Sequence, residues 1–252
     1  PFSGTIDGLT NSAHTWGWGA HILAQMEQGP LYDQIDLKKS LAADFASGGN
    51  GVLTGTVLPI YICPSAPNPA FLVECCSGAF QNGASPNDDI GGSSYAGCHG
   101  SNTMFSSNGS RGRPDGNGVL TNHREISIGQ ITDGTSNTLM LGETTEVVGE
   151  HNSEAATFGF MWGNWGVQST EAGINGPFTL PGGRDVDANP IPSGGQNRHN
   201  QLFREIGFSS YHPGGAIFSF SDGSVHLLPQ NITQSVFESL GSRNLGEVVG
   251  EY

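Results

Sequence analysis

The sequence predicts an α+β fold made of short strands, short helices and long structured loops. Glycine and proline are frequent, with 39 and 14 residues in a chain of 252, and this composition disfavours long helices. Apolar residues recur at helical spacing in Trp16–Ile35 and in Thr233–Leu240, whereas residues 212–228 have the pattern of a β-hairpin. Because no clean linker interrupts the sequence, we predict one domain over residues 1–252.

The N-terminal region predicts two short helices. Ile22, Leu23 and Met26 form the apolar face of the first, and Gly29-Pro30 is expected to end it. A second short helix is predicted from Leu31.

Residues 63–118, approximately, are predicted to form a loop insertion rich in glycine, asparagine and proline. No C-x2-C pair is present, so the spacing of its cysteines does not predict a zinc site. An even number of cysteines in an exported protein indicates disulfides, and three pairings remain open. Strain disfavours a bond between the two adjacent residues. The four disulfide candidates are Cys63, Cys75, Cys76 and Cys98.

The central block Ile131–Ser136 predicts a turn, in which Asp133 and Ser136 are interpreted as turn-capping residues. The following residues, from Thr138 to Leu141, predict a strand that ends at Gly142-Glu143.

The C-terminal hairpin is the clearest local signal. Two apolar strands flank Asp222-Gly223, which predicts a tight two-residue turn because both residues tolerate positive φ. Gly214 and Gly215 follow Pro213 and allow a sharp turn before the first strand.

His212 lies ten residues before Asp222, which gives the pattern H-x9-D-G. It has two interpretations: a metal ligand or subunit contact, or an imidazole that forms a hydrogen bond across the hairpin and packs beside Phe218 or Phe220. We favour the second, because one histidine and one distant aspartate do not define a site.

The net charge of −14, with only two lysines, excludes nucleic acid and anionic lipid surfaces as partners. No stretch approaches the length of a membrane span. Since the chain begins with Pro1 and not with methionine, we expect that a preceding segment has been removed.

Two further sets of residues are candidates for ligand binding. Asp185, Asp187 and Asn189 alternate as in the first half of a calcium-binding EF-hand loop, although the later glycine and glutamate of that motif are missing. Solvated loop carboxylates are the favoured alternative. Trp162 and Trp165 could stack on a carbohydrate, pack in the core or form a filament contact. Since no catalytic motif is present, we do not expect an enzyme.

Several short blocks of the sequence occur together in a known family. They are Trp16-Gly17-Trp18 through Glu27-Gln28, Leu31-Tyr32-Asp33-Gln34, Cys63-Pro64-Ser65, Ser94-Tyr95-Ala96-Gly97, Ile131-Thr132-Asp133-Gly134-Thr135-Ser136-Asn137-Thr138 with Gly142-Glu143, His212-Pro213-Gly214-Gly215 with Asp222-Gly223-Ser224-Val225, and Gly246-Glu247-Val248-Val249. In these blocks the chain resembles bacterial prepilin-type proteins with the H-x9-D-G signature, a large family of unknown function.

The resemblance implies a pilin-like globular domain with an antiparallel sheet, from which the N-terminal hydrophobic pilin helix is absent. It further implies a structural subunit of an extracellular pilus, pseudopilus or fibre, which is exported, assembles with copies of itself and contacts the membrane only through the absent helix. Some pseudopilins bind Ca²⁺, which adds support to the calcium candidates. The alternative function is a secreted or surface module that binds a solute or carbohydrate through the Trp162 and Trp165 loops.

Overall fold

The computed structural model describes residues 16–39, 53, 56–65, 72–74, 89–101, 116–121, 125–144, 166–175 and 207–247. The chain divides into two units, where the sequence predicts one domain. The first unit consists of Pro1–Tyr95 and Glu146–Gly166, and the second consists of Ala96–Thr145 and Val167–Tyr252. Each unit is described separately below.

In the residues that the structure describes, the first unit contains short helices and one small sheet. Helix α1 spans Trp18–His21 and α2 spans Gly29–Tyr32, with 3₁₀ turns at Ala24–Met26 and Pro59–Tyr61. The first helical segment ends at Met26, before Gly29-Pro30 as predicted, whereas the second helix begins at Gly29, two residues before the predicted start at Leu31. Proline is well tolerated in the first helical turn, where its missing N–H would have no partner.

The strands of the first unit are β1, Leu72–Glu74, and β2, Asp89–Gly91, which pair antiparallel. Residues 63–118, predicted as a loop insertion, therefore contain regular structure. They also include β3, Tyr95–Gly100, which belongs to the larger sheet and is buried from Ala96 to its end.

Aromatic residues organise the described core of the first unit. The Trp18 ring contacts the Tyr61 ring edge to face, with centroids 5.7 Å apart. The Tyr61 hydroxyl donates a hydrogen bond to the carbonyl of Gly19 at 2.9 Å, and the Trp16 indole donates to the carbonyl of Lys39 at 2.9 Å. These bonds satisfy the polar ends of side chains that are otherwise buried.

The second unit is built on a five-stranded mixed sheet, and the predicted α+β class is confirmed. Its order is β5-β3-β4-β6-β7, with the remaining strands at Leu139–Glu143 (β4), Val167–Ser169 (β5), Gly215–Phe220 (β6) and Val225–Pro229 (β7). The sheet is not wholly antiparallel as expected, because β5 pairs parallel with β3. A long connection separates these two strands in the sequence, as a parallel pair requires.

Among the described residues, one helix packs on this sheet. Helix α3, Gln234–Gly241, buries Phe237 and Leu240 completely, and Val236 is partly buried against the same cluster. This is the apolar face that the sequence predicts. Phe218 of β6 contacts the Phe237 ring edge to face at 5.6 Å. Among the helices that the structure describes, none combines the length and apolar character needed to cross a membrane.

The hairpin of β6 and β7 forms as predicted, but its turn differs. Gly223 N–H donates to the Phe220 carbonyl at 3.0 Å, and Phe220 N–H donates to the Ser224 carbonyl at 2.9 Å. The loop therefore has three residues, Ser221–Gly223, and only Gly223 has positive φ, at 88°. This is the type I turn with a glycine bulge, for which Asp-Gly is equally suitable.

Candidate functional site at Glu143 and His212

Glu143 is the last residue of β4 and is held close to β6 by the glycine before it. Gly142 is the cross-strand partner of Phe218. A Cβ atom at Gly142 would collide with the rings of Phe218 and Phe208. A glycine is therefore required for the strand to approach the aromatic core at this point.

The carboxylate of Glu143 is almost fully buried, with 3% of the side chain exposed. Its Oε2 accepts the N–H of Ile217 at 2.8 Å, and its Oε1 lies 3.2 Å from Nε2 of His212. The main-chain carbonyl of Glu143 accepts the N–H of Ser209 at 3.0 Å. One residue thus ties β4 to β6 and to the segment that leads into the hairpin.

His212 is fixed by its main chain as well as by its ring. Its N–H donates to Ser210 Oγ at 3.0 Å, and the Ser210 N–H donates to Asn175 Oδ1 at 2.8 Å. The side chain is 29% exposed. The imidazole is therefore partly accessible to solvent, whereas its carboxylate partner is not.

The partner of His212 differs from the one expected from the sequence. The sequence predicts a hydrogen bond across the hairpin, whereas the ring pairs with Glu143 of β4. The histidine that packs against Phe220 is His226 of β7, with ring centroids 5.2 Å apart. Glu143 was not a predicted site residue. The sequence signal that could have identified Glu143 is its place after Gly142 at the end of a predicted strand. A carboxylate at that place lies beside the neighbouring strand of the sheet.

The remaining H-x9-D-G residues shape the hairpin. Gly214 has φ of 87°, and a Cβ atom at Gly215 would collide with the carbonyl of Leu228 on β7. Asp222 Oδ1 accepts hydrogen bonds from the N–H and the hydroxyl of Ser224, at 2.9 and 2.7 Å. These bonds are the main reason that the pKa of Asp222 is lowered. The signature therefore builds the fold of this segment.

Asp133 makes a second long-range connection in this unit. Its Oδ1 accepts the N–H of Gly246 at 2.9 Å, and its Oδ2 accepts the N–H of Leu245 at 2.9 Å and the hydroxyl of Ser242 at 3.0 Å. The prediction that Asp133 caps its own turn is therefore wrong. Its carboxylate holds the segment that follows α3, and no local sequence pattern indicates so distant a partner.

Arg243 connects the same segment to another part of the chain. It is 5% exposed, and its Nη1 donates to the carbonyls of Gly116 and Gly118, both at 2.8 Å. The Arg243 N–H donates to the carbonyl of Asn117 at 2.9 Å. A buried guanidinium thus fixes residues 116–118 beside the end of α3.

Several predicted residues lie outside the part of the chain that the structure describes. They are the calcium candidates Asp185, Asp187 and Asn189, the aromatic pair Trp162 and Trp165, and two of the cysteines, Cys75 and Cys76. Cys63 is a buried residue of the first unit. Cys98 is a fully buried free thiol and not the predicted disulfide partner, and burial raises its pKa to about 12. As a central residue of β3, Cys98 is enclosed by the core.

A carboxylate beside an imidazole can orient the ring and stabilise its protonated form, as in acyl-transfer enzymes. At Glu143, however, both carboxylate oxygens contact groups that join separate segments of the fold. The geometry therefore favours a pair that fastens β4, β6 and the entry to the hairpin.

The comparisons with known proteins identify a family of unknown function. A family model described as "Protein of unknown function (DUF1559)" matches residues 1–235. No curated protein and no solved structure matches the chain. The match includes the residues of the Glu143–His212 pair and the H-x9-D-G hairpin, and the chain belongs to the DUF1559 family.

Proposed function

We propose that this chain is a structural subunit of an extracellular pilus-, pseudopilus- or fibre-like assembly, and that it associates with copies of itself. The observation that carries the proposal is an exposed apolar strand at the edge of the larger sheet. Strand β7 is the last strand in the sheet order, and its Val225 and Leu227 are 63% and 56% exposed. An exposed apolar edge strand readily pairs with another chain.

The charge distribution supports contact at this edge. The chain carries −14, so two copies repel each other over much of their surface. Asp222 is the one charged residue in the hairpin sequence 215–229, if histidine is neutral. The hairpin therefore adds little charge repulsion to the approach of a second copy.

The roles of the signature residues also favour a structural protein. His212 pairs with Glu143, and Asp222 accepts two hydrogen bonds from Ser224 within the turn, so both residues have a role in the fold. The prepilin-type resemblance implies a domain on the outside of an assembly, and this supports a protein that is exported to the cell surface.

Analytical ultracentrifugation of the full chain tests the proposal. We expect concentration-dependent association that strengthens as NaCl is raised, because salt screens the repulsion between copies. Parallel runs with Ca²⁺ and with EDTA show whether divalent cations add to this effect. A sedimentation profile of monomers at every salt and Ca²⁺ concentration would contradict self-association.

Localisation and processing are tested on the native protein. Immunogold labelling of whole cells is expected to mark the surface or extracellular filaments. N-terminal sequencing of the native protein shows at which residue the mature chain starts. Labelling confined to the cell interior would contradict the proposed role.

A further inference from the structure

The open edge of β7 has a defined set of hydrogen-bonding groups. In the β6–β7 ladder, Phe220 N–H donates to the Ser224 carbonyl and Gln230 N–H donates to the Gly214 carbonyl. Because antiparallel ladders alternate, residues 224, 226, 228 and 230 direct their main-chain groups toward β6. Val225 and Leu227 therefore direct theirs toward the open edge.

The end of this edge is also defined. Pro229 is the last residue of β7 and has no N–H, so it offers only a carbonyl there. The open edge thus has two complete donor and acceptor residues, Val225 and Leu227, two positions apart.

We propose that β7 pairs antiparallel with β7 of a second copy across a twofold axis at His226. This inference rests on the proposed self-association and specifies its contact. Val225 would exchange both main-chain hydrogen bonds with Leu227 of the second copy, and Leu227 would do the same with Val225 of the second copy. The arrangement satisfies the outward groups of these residues reciprocally, as a twofold interface requires.

The side chains suit this register. His226 faces His226 of the second copy in a non-hydrogen-bonded pair, in which the Cα atoms are about 4.5 Å apart. The exposed side chains of Val225 and Leu227 lie on the opposite face of the strand from His226. On that face, Val225 lies beside Leu227 of the second copy, and Leu227 lies beside Val225 of the second copy. Ile217, the β6 partner of Leu227, extends this apolar surface.

The charges of the two copies suit it as well. In this register the two Asp222 residues lie at opposite ends of the paired strands, four residues from His226, which is about 13 Å on either side of the axis at the usual rise of a strand. Their separation of about 26 Å exceeds the Debye length of about 8 Å at physiological salt. The carboxylates of the two hairpins therefore do not oppose the contact.

A cysteine on the twofold axis provides the most direct test. His226→Cys would place two thiols in a non-hydrogen-bonded pair, so mild oxidation of the full chain is expected to give a covalent dimer on a non-reducing gel. The matched control is Ser235→Cys, which adds an exposed thiol on α3. The wild-type chain measures the background from its own four cysteines.

A second test removes one outward donor from the edge. Val225→Pro deletes an N–H that does not point toward β6, so the hairpin is expected to form while self-association weakens at least tenfold. Val225→Thr is the control, because it keeps both the N–H and the branched shape. Circular dichroism establishes that each variant is folded before sedimentation is measured.

The outcomes separate this inference from the proposed function. Cross-linking of His226→Cys above the level of Ser235→Cys, with weaker association of Val225→Pro, supports the β7 pairing. Association of the wild-type chain without either effect overturns the pairing and leaves the proposed function standing. A chain that stays monomeric at all concentrations and is not cross-linked at His226→Cys overturns both.

Discussion

The buried carboxylate of Glu143 lies 3.2 Å from the partly exposed ring of His212, and its other oxygen accepts the N–H of Ile217. We predict that Glu143→Ala lowers the free energy of unfolding by about 2–3 kcal/mol, because a buried N–H that loses its acceptor costs about 1–3 kcal/mol. Glu143→Gln keeps an acceptor for Ile217 and should cost about 1 kcal/mol.

Urea unfolding measures these differences, with Glu125→Gln as the control because Glu125 is an exposed carboxylate of the same unit. Equal stability of Glu143→Ala and Glu125→Gln would show that the carboxylate does not fasten the strands.

Gly142 is predicted to tolerate no side chain. A Cβ atom there would collide with the Phe218 and Phe208 rings, whose centroids are 5.0 Å apart in an edge-to-face contact. We expect Gly142→Ala to destabilise the protein by about 1–3 kcal/mol, the usual range for overpacking a core. Gly129→Ala is the matched control, since a Cβ atom at Gly129 would meet no atom within 4 Å. A similar melting temperature for both variants would contradict the prediction.

Local patterns in the sequence predicted the helix and the hairpin near the C-terminus. The apolar spacing around Phe237 identified the buried face of α3, and the alternation in residues 216–228 identified the hairpin. The loop length was not predictable, because Asp-Gly fits two turn types. Here the N–H and the hydroxyl of Ser221 both donate to the carbonyl of Thr138, a contact that only the assembled sheet provides.

The candidate site was predictable only in part, because its contacts join strands that are distant in the sequence. His212 was identified from the sequence, but its partner Glu143 belongs to another strand, and the choice between partners depends on which strands become neighbours. The parallel pairing of β3 with β5 likewise depends on a long connection and has no local signal.

Asp133 is predicted to order the segment after α3. Asp133→Ala removes the acceptor of the Leu245 and Gly246 amides, so we expect hydrogen exchange of both amides to accelerate at least tenfold. Asp133→Asn keeps one carbonyl oxygen and should have a smaller effect. The control is Ser136→Ala, an exposed residue of the same turn. Unchanged exchange in Asp133→Ala would contradict this role.

The Cys98 thiol is predicted to be unreactive in the folded protein. Burial raises its pKa from 9.0 to about 12, so the thiolate that reacts with alkylating agents is scarce at neutral pH. We expect iodoacetamide at pH 8 to leave Cys98 unmodified until the chain is unfolded, as peptide mapping would show. Modification of Cys98 in the native protein at the rate of an unfolded peptide would contradict the buried position.

The raised pKa also links Cys98 to stability at high pH. Below pH 9 the thiol is protonated in both the folded and the unfolded state, and its contribution to stability is fully present. As the pH rises from 9 toward 12, only the unfolded state loses the proton, so this contribution is lost. Cys98→Ala should therefore lose less stability than the wild-type chain over that interval, measured by urea unfolding at each pH.

Asp222 is predicted to contribute less to stability at low pH, whereas Cys98 contributes less at high pH. The hydroxyl of Ser224, followed by its N–H, lowers the pKa of Asp222 below 3.8, because both donate to the charged carboxylate. Its contribution to stability is therefore present above the unfolded value and is lost as the pH falls through the lower folded value. Ser224→Ala removes the larger cause, so the pKa of Asp222 should rise, as carboxyl ¹³C NMR titration would measure. Ser235→Ala, which removes an exposed hydroxyl from α3, is the control. If Asp222 titrates in Ser224→Ala as it does in the wild-type chain, the turn hydroxyl does not stabilise its charge.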